Sequence, residues 1–145
     1  MLKIIVLLIF IVPTIYNFII HRDNMINTKK KPIFGFILAL FTIFASGLCY
    51  RLDNTVLGYA IVISAVLLIY IVIFFTGMRK DGFVIFMGAS PILELISFDK
   101  MNSVDIKKDK SNDLDLIIKA HGSTYIQTYT IENKDMIVSN LKKFE

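Results

Sequence analysis

The chain has 145 residues, of which 55% are hydrophobic, and it carries a formal net charge of +4. This length allows one ordinary domain, or a membrane part followed by one small domain. Six of the 16 basic residues and two of the 12 acidic residues precede Met78, so the excess positive charge lies wholly in the hydrophobic first half. The second half is neutral. That balance argues against a nucleic-acid partner, which would require a basic face on the water-soluble part.

Three stretches without a charged residue dominate the first half, at residues 4–20, 33–49 and 55–78. As helices, the first two would extend about 25 Å and the third about 36 Å. A hydrocarbon core about 30 Å thick accommodates all three, the third by tilting. The pattern therefore predicts three transmembrane helices within residues 1–78. A cleaved signal peptide is the alternative for the first stretch, but its bulky end without a small-residue cleavage site favours a retained helix.

The positive charges beside these stretches predict the orientation in the membrane. Lys29, Lys30 and Lys31 lie in the first loop, and Arg79 and Lys80 follow the third stretch. Because Lys and Arg collect on the cytoplasmic side, we expect the N-terminus outside and residues 79–145 in the cytoplasm. Abundant Ile, Lys, Asn and Phe without Trp suggest a bacterial source, and hence a multi-pass protein of the bacterial cell membrane. The five basic residues are candidate lipid-headgroup contacts, although the lysines could simply fix the topology.

The three apolar stretches contain no Asp, Glu, Lys, Arg or His. Proton relays and ion-coupled carriers usually need such a residue within the membrane, so the sequence argues against an autonomous transporter. Gly35 with Ala39, and Ala60 with Ser64, have the spacing of small residues that lets two helices approach closely. These four are candidate helix-packing residues, and a homo-oligomer would be one way to use them. Chance occurrence in apolar helices explains the spacing equally well.

Residues 79–145 change abruptly to a pattern typical of β-strands, with short runs of β-forming residues between turns. Five strands are predicted, at residues 83–87, 92–97, 103–107, 114–119 and 124–131. In the fourth, Leu114, Leu116 and Ile118 alternate with other residues, which predicts one buried face. The first strand is apolar on both faces. Packing between helix and membrane, or a contact surface for a partner, would each account for that.

The pattern shifts to helical spacing near the C-terminus. Asn133 is the predicted N-cap, Asp135 lies in the first turn, and basic residues at 142 and 143 suit the last turn. One apolar stripe is expected to cover the sheet, formed by Met136, Ile137, Leu141 and Phe144. The fold class predicted for the whole chain is three transmembrane helices plus a small α+β domain, an antiparallel sheet of about five strands with a C-terminal helix.

The order of elements in this domain resembles the pleckstrin-homology-like (PH-like) domains of small bacterial integral membrane proteins of unknown function. The matching stretches are residues 81–85 (DGFVI), 96–101 (ISFDKM) and 135–144. The resemblance covers residues 79–145. It implies a fold more than an activity, because many such proteins have no assigned activity. Family members often have Trp where this chain has Phe98.

One segment has part of a metal-binding pattern. Asp109, Ser111, Asp113 and Asp115 supply the alternating oxygen ligands of a calcium loop. The Gly and Glu that an EF-hand requires at its sixth and twelfth positions are replaced by other residues. A solvated hairpin loop is therefore the favoured interpretation.

The residues that most often bind metals or perform nucleophilic catalysis are scattered. His21, His121 and Cys49 are the only His and Cys of the chain, and they lie in three separate regions. No Ser/His/Asp or Cys/His nucleophile set can be assembled from the sequence, and His121 before Gly122 is most simply a turn residue. We therefore expect no catalytic residue, no metal and no cofactor.

These observations favour a non-enzymatic integral membrane protein, whose cytosolic domain contacts a protein partner or the membrane surface. The balanced charge of residues 78–145 favours a protein partner over lipid headgroups, because attraction to an anionic bilayer would be weak and easily screened. An edge strand can accept the backbone of another chain without any charge. An accessory subunit of a membrane transport or export complex is the alternative. A membrane enzyme that acts on lipid is the third and least favoured hypothesis.

Overall fold

A computed structural model of the protein describes residues 1–88, 90–108 and 113–142. Three long helices come first: α1 (Leu2–His21), α2 (Pro32–Leu52) and α3 (Val56–Phe74). Each is long and apolar enough to cross a membrane, which is the property of a multi-pass membrane protein. Two antiparallel sheets and a terminal helix follow, so the predicted fold class, helical part plus α+β domain, is confirmed.

The starts of the helices follow from local sequence. Pro32 begins α2, where its missing N–H would be unpaired in any case. Thr55 caps α3 by accepting a hydrogen bond from the Gly58 backbone N–H at 3.2 Å. Both α1 and α2 pack chiefly against α3, which is the central helix of the bundle.

The third helix is shorter than the predicted span at residues 55–78. It ends at Phe74, and Gly77 and Met78 form a strand instead of a last helical turn. An apolar run cannot by itself separate the end of a spanning helix from a short buried strand. These two residues pair with strands on both sides, which decides in favour of the strand.

Four strands form the first sheet, in the order β1-β2-β3-β4: β1 (Ile26–Asn27), β2 (Gly77–Met78), β3 (Gly82–Phe86) and β4 (Leu93–Ser97). The first of these strands comes from the loop between α1 and α2. Its residue Ile26 pairs with Met78. The sheet therefore includes residues on both sides of residue 79, the predicted start of the domain. The same pairing brings the first loop and the domain to the same end of the helices.

Three longer strands form the second sheet, in the order β5-β6-β7: β5 (Met101–Lys108), β6 (Leu114–Ala120) and β7 (Ser123–Tyr129). The five predicted strands correspond to β3–β7. The predicted register of β6 is also confirmed, because Leu114, Leu116 and Ile118 are all buried. The sequence missed β1 and β2, which bring the number of strands from about five to seven among the residues that the structure describes.

The domain core lies between the two sheets and the terminal helix α4 (Lys134–Leu141). Phe83 and Ile85 of β3 face this core, whereas Val84 on the opposite face packs with Ile71 of α3 and with Leu93. The third strand is thus enclosed between the domain core and the end of a candidate membrane span. This position explains why its sequence is apolar on both faces.

A buried polar chain joins the two sheets. The Tyr129 hydroxyl donates to Oε1 of Gln127 at 2.6 Å, and Nε2 of Gln127 donates to the Val84 carbonyl at 2.8 Å. Burial raises the pKa of the Tyr129 phenol, so the group stays a neutral donor. All three residues are buried, and the satisfied polar groups fix how β7 lies against β3.

The terminal helix differs from its prediction in two details. The Asn133 side chain makes no capping bond and instead donates to the Thr130 hydroxyl at 2.9 Å. Ile137 is fully buried and Leu141 packs against the core, as predicted, but Met136 is 46% exposed. Met136 points away because it neighbours Ile137, and adjacent helix positions lie about 100° apart. The predicted contributions of residues 143 and 144 fall outside the described residues.

Candidate functional site

One fully buried amide, that of Asn17, links the first helix to the sheet domain. Asn17 of α1 has no exposed surface. Its Nδ2 donates to the Pro91 carbonyl at 2.9 Å, and its Oδ1 accepts from the Leu93 N–H at 2.7 Å. A polar side chain in an otherwise apolar span is costly unless it is paired. Here one amide satisfies a backbone carbonyl of the β3–β4 loop, which is described at residues 87–88 and 90–92, and the backbone N–H of the first residue of β4.

The first loop is joined to the domain by a second polar cluster. The Thr28 and Thr76 hydroxyls share a hydrogen bond of 2.8 Å, and the Thr28 N–H donates to the Thr76 carbonyl at 3.1 Å. The Met25 N–H donates to the Met78 carbonyl at 2.9 Å. These bonds continue the β1–β2 pairing on both sides, so residues 25–28 are an integral part of the sheet domain.

Most of the basic residues that the sequence offered for lipid headgroups are engaged within the protein. Lys29 pairs with Asp113, with Nζ 2.8 Å from a carboxylate oxygen, and Lys30 donates to the Thr76 hydroxyl at 2.7 Å. Burial lowers the pKa of the Lys30 ammonium. Arg79 pairs with Asp81 at 3.0 Å and also lies 3.5 Å from a carboxylate oxygen of Asp23.

Lys31 and Lys80 are exposed, and neither makes a side-chain hydrogen bond or ion pair within the described ranges. They remain the predicted residues best placed to meet lipid headgroups. The sequence could not identify Lys29 as internally paired, because its partner lies 84 positions away along the chain.

The small residues proposed for helix packing have different environments. Gly35 and Ala39 lie on the exposed surface of α2, and a methyl group added at Gly35 would meet nothing within 4 Å. Ala60 and Ser64 are partly buried, and the Ser64 hydroxyl donates to the Ala60 carbonyl of its own helix at 2.8 Å. Within one chain, Gly35 therefore lies at no close helix contact. Its use against a second helix stays a prediction.

A groove of about 460 Å³ runs between the edge strand β5 and helix α4. Met101, Val104 and Ile106 form the strand side, and Val138 and Leu141 form the helix side. The sheet order leaves the outer edge of β5 unpaired within the described part of the chain, because its one neighbour in the sheet is β6. An apolar cleft beside an open backbone edge can accept an extended peptide.

The two histidines and the cysteine, the residues best suited to nucleophilic catalysis or metal binding, lie far apart. The His21 ring stacks on Phe75 with centroids 3.8 Å apart, and Cys49 donates to the Asp53 carbonyl at 3.3 Å near the opposite end of the bundle. His121 has a positive φ of 51° and precedes Gly122, so the predicted turn is confirmed. Among the described residues, no group of three or more His, Cys, Asp or Glu side chains could hold a metal ion.

Two of the four positions of the calcium-loop pattern, 109 and 111, lie outside the described ranges. Of its described members, Asp113 pairs with Lys29, and Asp115 accepts a hydrogen bond from the Thr128 hydroxyl at 2.7 Å. Both carboxylates thus have structural partners.

Comparison with known proteins gives no assignment. The chain matches no family model, no curated protein and no solved structure. The groove between β5 and α4, and the contacts that Asn17 and Thr28 make with the sheet domain, are therefore the features from which a function can be inferred.

Proposed function

We propose that the chain is a non-enzymatic integral membrane protein of the bacterial cell membrane, whose PH-like domain binds a protein partner in the groove between β5 and α4. An extended segment of the partner would pair with the outer edge of β5 and place apolar side chains between the strand and the helix. The groove of about 460 Å³ beside an unpaired strand edge carries this proposal, with apolar residues on both its strand and helix sides and with Asn102, Ser103 and Lys142 also in its lining.

The groove has the chemistry that backbone pairing requires. A strand edge supplies N–H and C=O groups at regular spacing, and side-chain pockets beside it provide specificity. The eight residues of β5 present a long edge. Phe98, Met101 and Val104 also pack on the domain core, so the floor of the groove is held in place before a partner arrives. A preformed site lowers the ordering cost of binding.

The PH-like assignment is supported by the two antiparallel sheets, of four and three strands, and by the C-terminal helix. The ring of Phe98, at the position where family members often have Trp, meets Phe83 edge-on with centroids 5.5 Å apart. Phe98 therefore supplies the aromatic contact with the core that a larger ring would be expected to make at this position.

A cytoplasmic location of the domain is proposed on the positions of the basic residues. Lys31 and Lys80 lie at the domain end of the helices, whereas the turn at residue 54 lies at the other end. A reporter that is active only outside the cytoplasm should be active when fused after Asn54 and inactive after Glu145. The opposite pattern would overturn the orientation.

The groove can be tested in intact membranes with a photo-crosslinking amino acid at Ser103, a groove residue of β5. We expect a discrete crosslinked adduct with one protein. Ile106→Arg should abolish this adduct, because Ile106 lines the groove and binding of an apolar segment there would remove the guanidinium from water at a high free-energy cost. The matched control is Ile126→Arg on β7, which is 65% exposed and lies outside the groove. An adduct that survives Ile106→Arg, or adducts with lipid alone, would contradict the proposal.

A second candidate function, an accessory subunit of a transport or export complex, is supported by the position of α2. This helix packs chiefly on α3, and 6% of its candidate span is buried within the chain. Its exposed face carries Gly35 and Ala39, where a helix of a larger membrane protein could approach closely. Gly35→Leu should then reduce co-purification with the complex while Ile63→Leu on α3 leaves it unchanged. Equal co-purification of both variants would contradict this function.

A further inference from the structure

A second cavity, of about 560 Å³, lies among the three long helices, with residues of the sheet domain at one end. Ile9 and Phe10 of α1 form one wall, Phe41 of α2 forms another, and Leu68 and Val72 of α3 lie between them. Since α1 and α2 both pack on α3, the cavity occupies the space that remains between the two outer helices.

The cavity lies within the depth of the hydrocarbon core. Ile9 is 12 residues from the domain end of α1, and Phe41 is nine residues from the domain end of α2. These separations correspond to about 18 Å and about 14 Å along the helix axes, against a hydrocarbon thickness of about 30 Å. The space therefore adjoins lipid tails, not water. Phe41 is 39% exposed, so the wall is accessible from outside the bundle.

Described residues of the β3–β4 connection cover the domain end of this cavity. Phe86, Gly88, Ser90 and Pro91 contribute to its lining, and Asn17 holds this segment against α1 by donating to the Pro91 carbonyl and accepting from the Leu93 N–H. Ser90 supplies the one polar side chain among the described lining residues. The site is therefore an apolar pocket with a polar group at the end that lies nearest the membrane surface.

The chemistry of the walls restricts what can occupy this space. An empty cavity forfeits packing, and water would find few hydrogen-bond partners inside it. A transmembrane helix in the cavity would have to leave through the end that the β3–β4 loop covers. A lipid acyl chain, in contrast, enters sideways from the bilayer and ends inside the hydrocarbon. We propose that this cavity binds an acyl chain of a bilayer lipid, with the β3–β4 loop closing it on the domain side.

The test uses the full chain in phosphatidylcholine nanodiscs that contain a trace of phosphatidylcholine with a diazirine on one acyl chain. After irradiation, peptide mapping should place most of the label on the cavity-lining residues of α1, α2 and α3 and on the lining residues Gly88, Ser90 and Pro91. Ala65→Trp should remove most of this label because residue 65 lines the cavity and the indole would fill it. Ile63→Trp is the matched control, since Ile63 lies on the same helix, outside the cavity, and is 65% exposed.

Thermal unfolding of each variant in the same nanodiscs checks that the fold is retained. Ala65→Leu is a smaller replacement for use if Ala65→Trp fails to fold, and it should reduce the label partially. Label spread evenly over the exposed faces of α1–α3, or unchanged in the folded variants, would overturn the proposal. Crosslinks between two copies at the cavity residues would also overturn it, because they would identify a second chain as the occupant.

Discussion

The long helices and the sheet domain differ in how much of their apolar surface the protein itself covers. Only 6% of the candidate span in α1 and in α2, and 22% of that in α3, is buried within the molecule. In the sheet domain, in contrast, the side chains of Phe83, Leu116, Ile118 and Ile137 are completely buried. Both regions are rich in apolar residues, but they remove them from water differently. The domain encloses its own core, and the helices leave most of their apolar surface for lipid to cover. Composition alone therefore does not tell how an apolar side chain is stabilised.

The two regions meet at β3, which belongs to both. Its residues Phe83 and Ile85 face the domain core, and Val84 faces Ile71 of the central helix. The hydrogen bonds of Asn17 and of the Thr28–Thr76 pair add polar links between the same two regions. The domain is therefore attached by packing and by buried hydrogen bonds together, so we expect it to move little relative to the helix ends.

The largest effect is expected from a charge placed in the domain core. Leu116→Asp should destabilise the domain by about 4 kcal/mol, because an unpaired carboxylate would replace a fully buried side chain. A loss of that size is comparable with the whole stability of a small domain. Hydrogen exchange of the full chain in detergent should show loss of protection in β6 and β7, while α1–α3 keep theirs.

The matched control is Ile126→Asp on the neighbouring strand. Ile126 is 65% exposed, so its replacement should leave the β6 amides protected. Retained protection in Leu116→Asp would mean that the domain core does not depend on this face of β6. Simultaneous loss in α1–α3 would show that the helices cannot hold their structure without the domain, and the contrast between the two regions would fail.

A smaller effect is expected at β2, the short strand that follows the third helix and pairs with both β1 and β3. A methyl group added at Gly77 would contact the Ile26 carbonyl oxygen at a distance that real side chains do not reach. Gly77→Ala should therefore separate β1 from β2 and cost about 1–3 kcal/mol. The Met25 and Thr28 amides, which donate to Met78 and Thr76, should exchange faster as a result.

Gly35→Ala is the control, since an added methyl group there meets open space. It should leave exchange in the first loop unchanged and slightly favour the helix, because Gly is a poor helix former. Unchanged exchange in Gly77→Ala would mean that β1 is not held by this pairing. A defect in self-association of Gly35→Ala would instead favour the predicted packing role of Gly35 in a homo-oligomer.

The sequence predicted the features of this molecule that repeat locally. The alternation of Leu114, Leu116 and Ile118 gave the buried face of β6, and long apolar runs gave the three helices. Two-residue strands such as β1 have too few positions for a pattern, and β2 is hidden at the end of an apolar run. Both strands become recognisable through their pairing, which is a tertiary property.

The candidate sites were harder to predict for the same reason. The partners of Asn17 lie 74 and 76 positions away, although a lone Asn in an apolar span is itself a signal that a partner exists. The groove between β5 and α4 combines residues from positions 98–106 and 138–142, and the cavity combines three helices with a loop. No local sequence pattern predicts which of these distant segments lie next to each other in the fold.

The smallest effect is expected at the far end of the helices, where a single exposed ion pair replaces the buried network of the domain end. Lys3 Nζ lies 2.8 Å from Asp53 Oδ1, which joins the start of α1 to the α2–α3 turn. The hydrogen bond from Lys3, followed by one from the Thr55 hydroxyl, lowers the pKa of Asp53 below its usual value of 3.8. A depressed carboxyl pKa stabilises the fold above the unfolded-state pKa, and this contribution disappears as the pH falls through the folded-state pKa.

Asp53→Asn should therefore slightly lower the thermal unfolding temperature at neutral pH. Below pH 3.8, the unfolding temperature of this variant should fall less steeply with pH than that of the wild type. Lys3→Met should give part of the same change. Because the pair is exposed, added salt should weaken the wild-type effect. If Asp53→Asn keeps the full acid sensitivity of the wild type, that sensitivity belongs to other carboxylates. If Asp53→Asn lowers the stability as much as Gly77→Ala does, the two ends of the helices are held equally firmly.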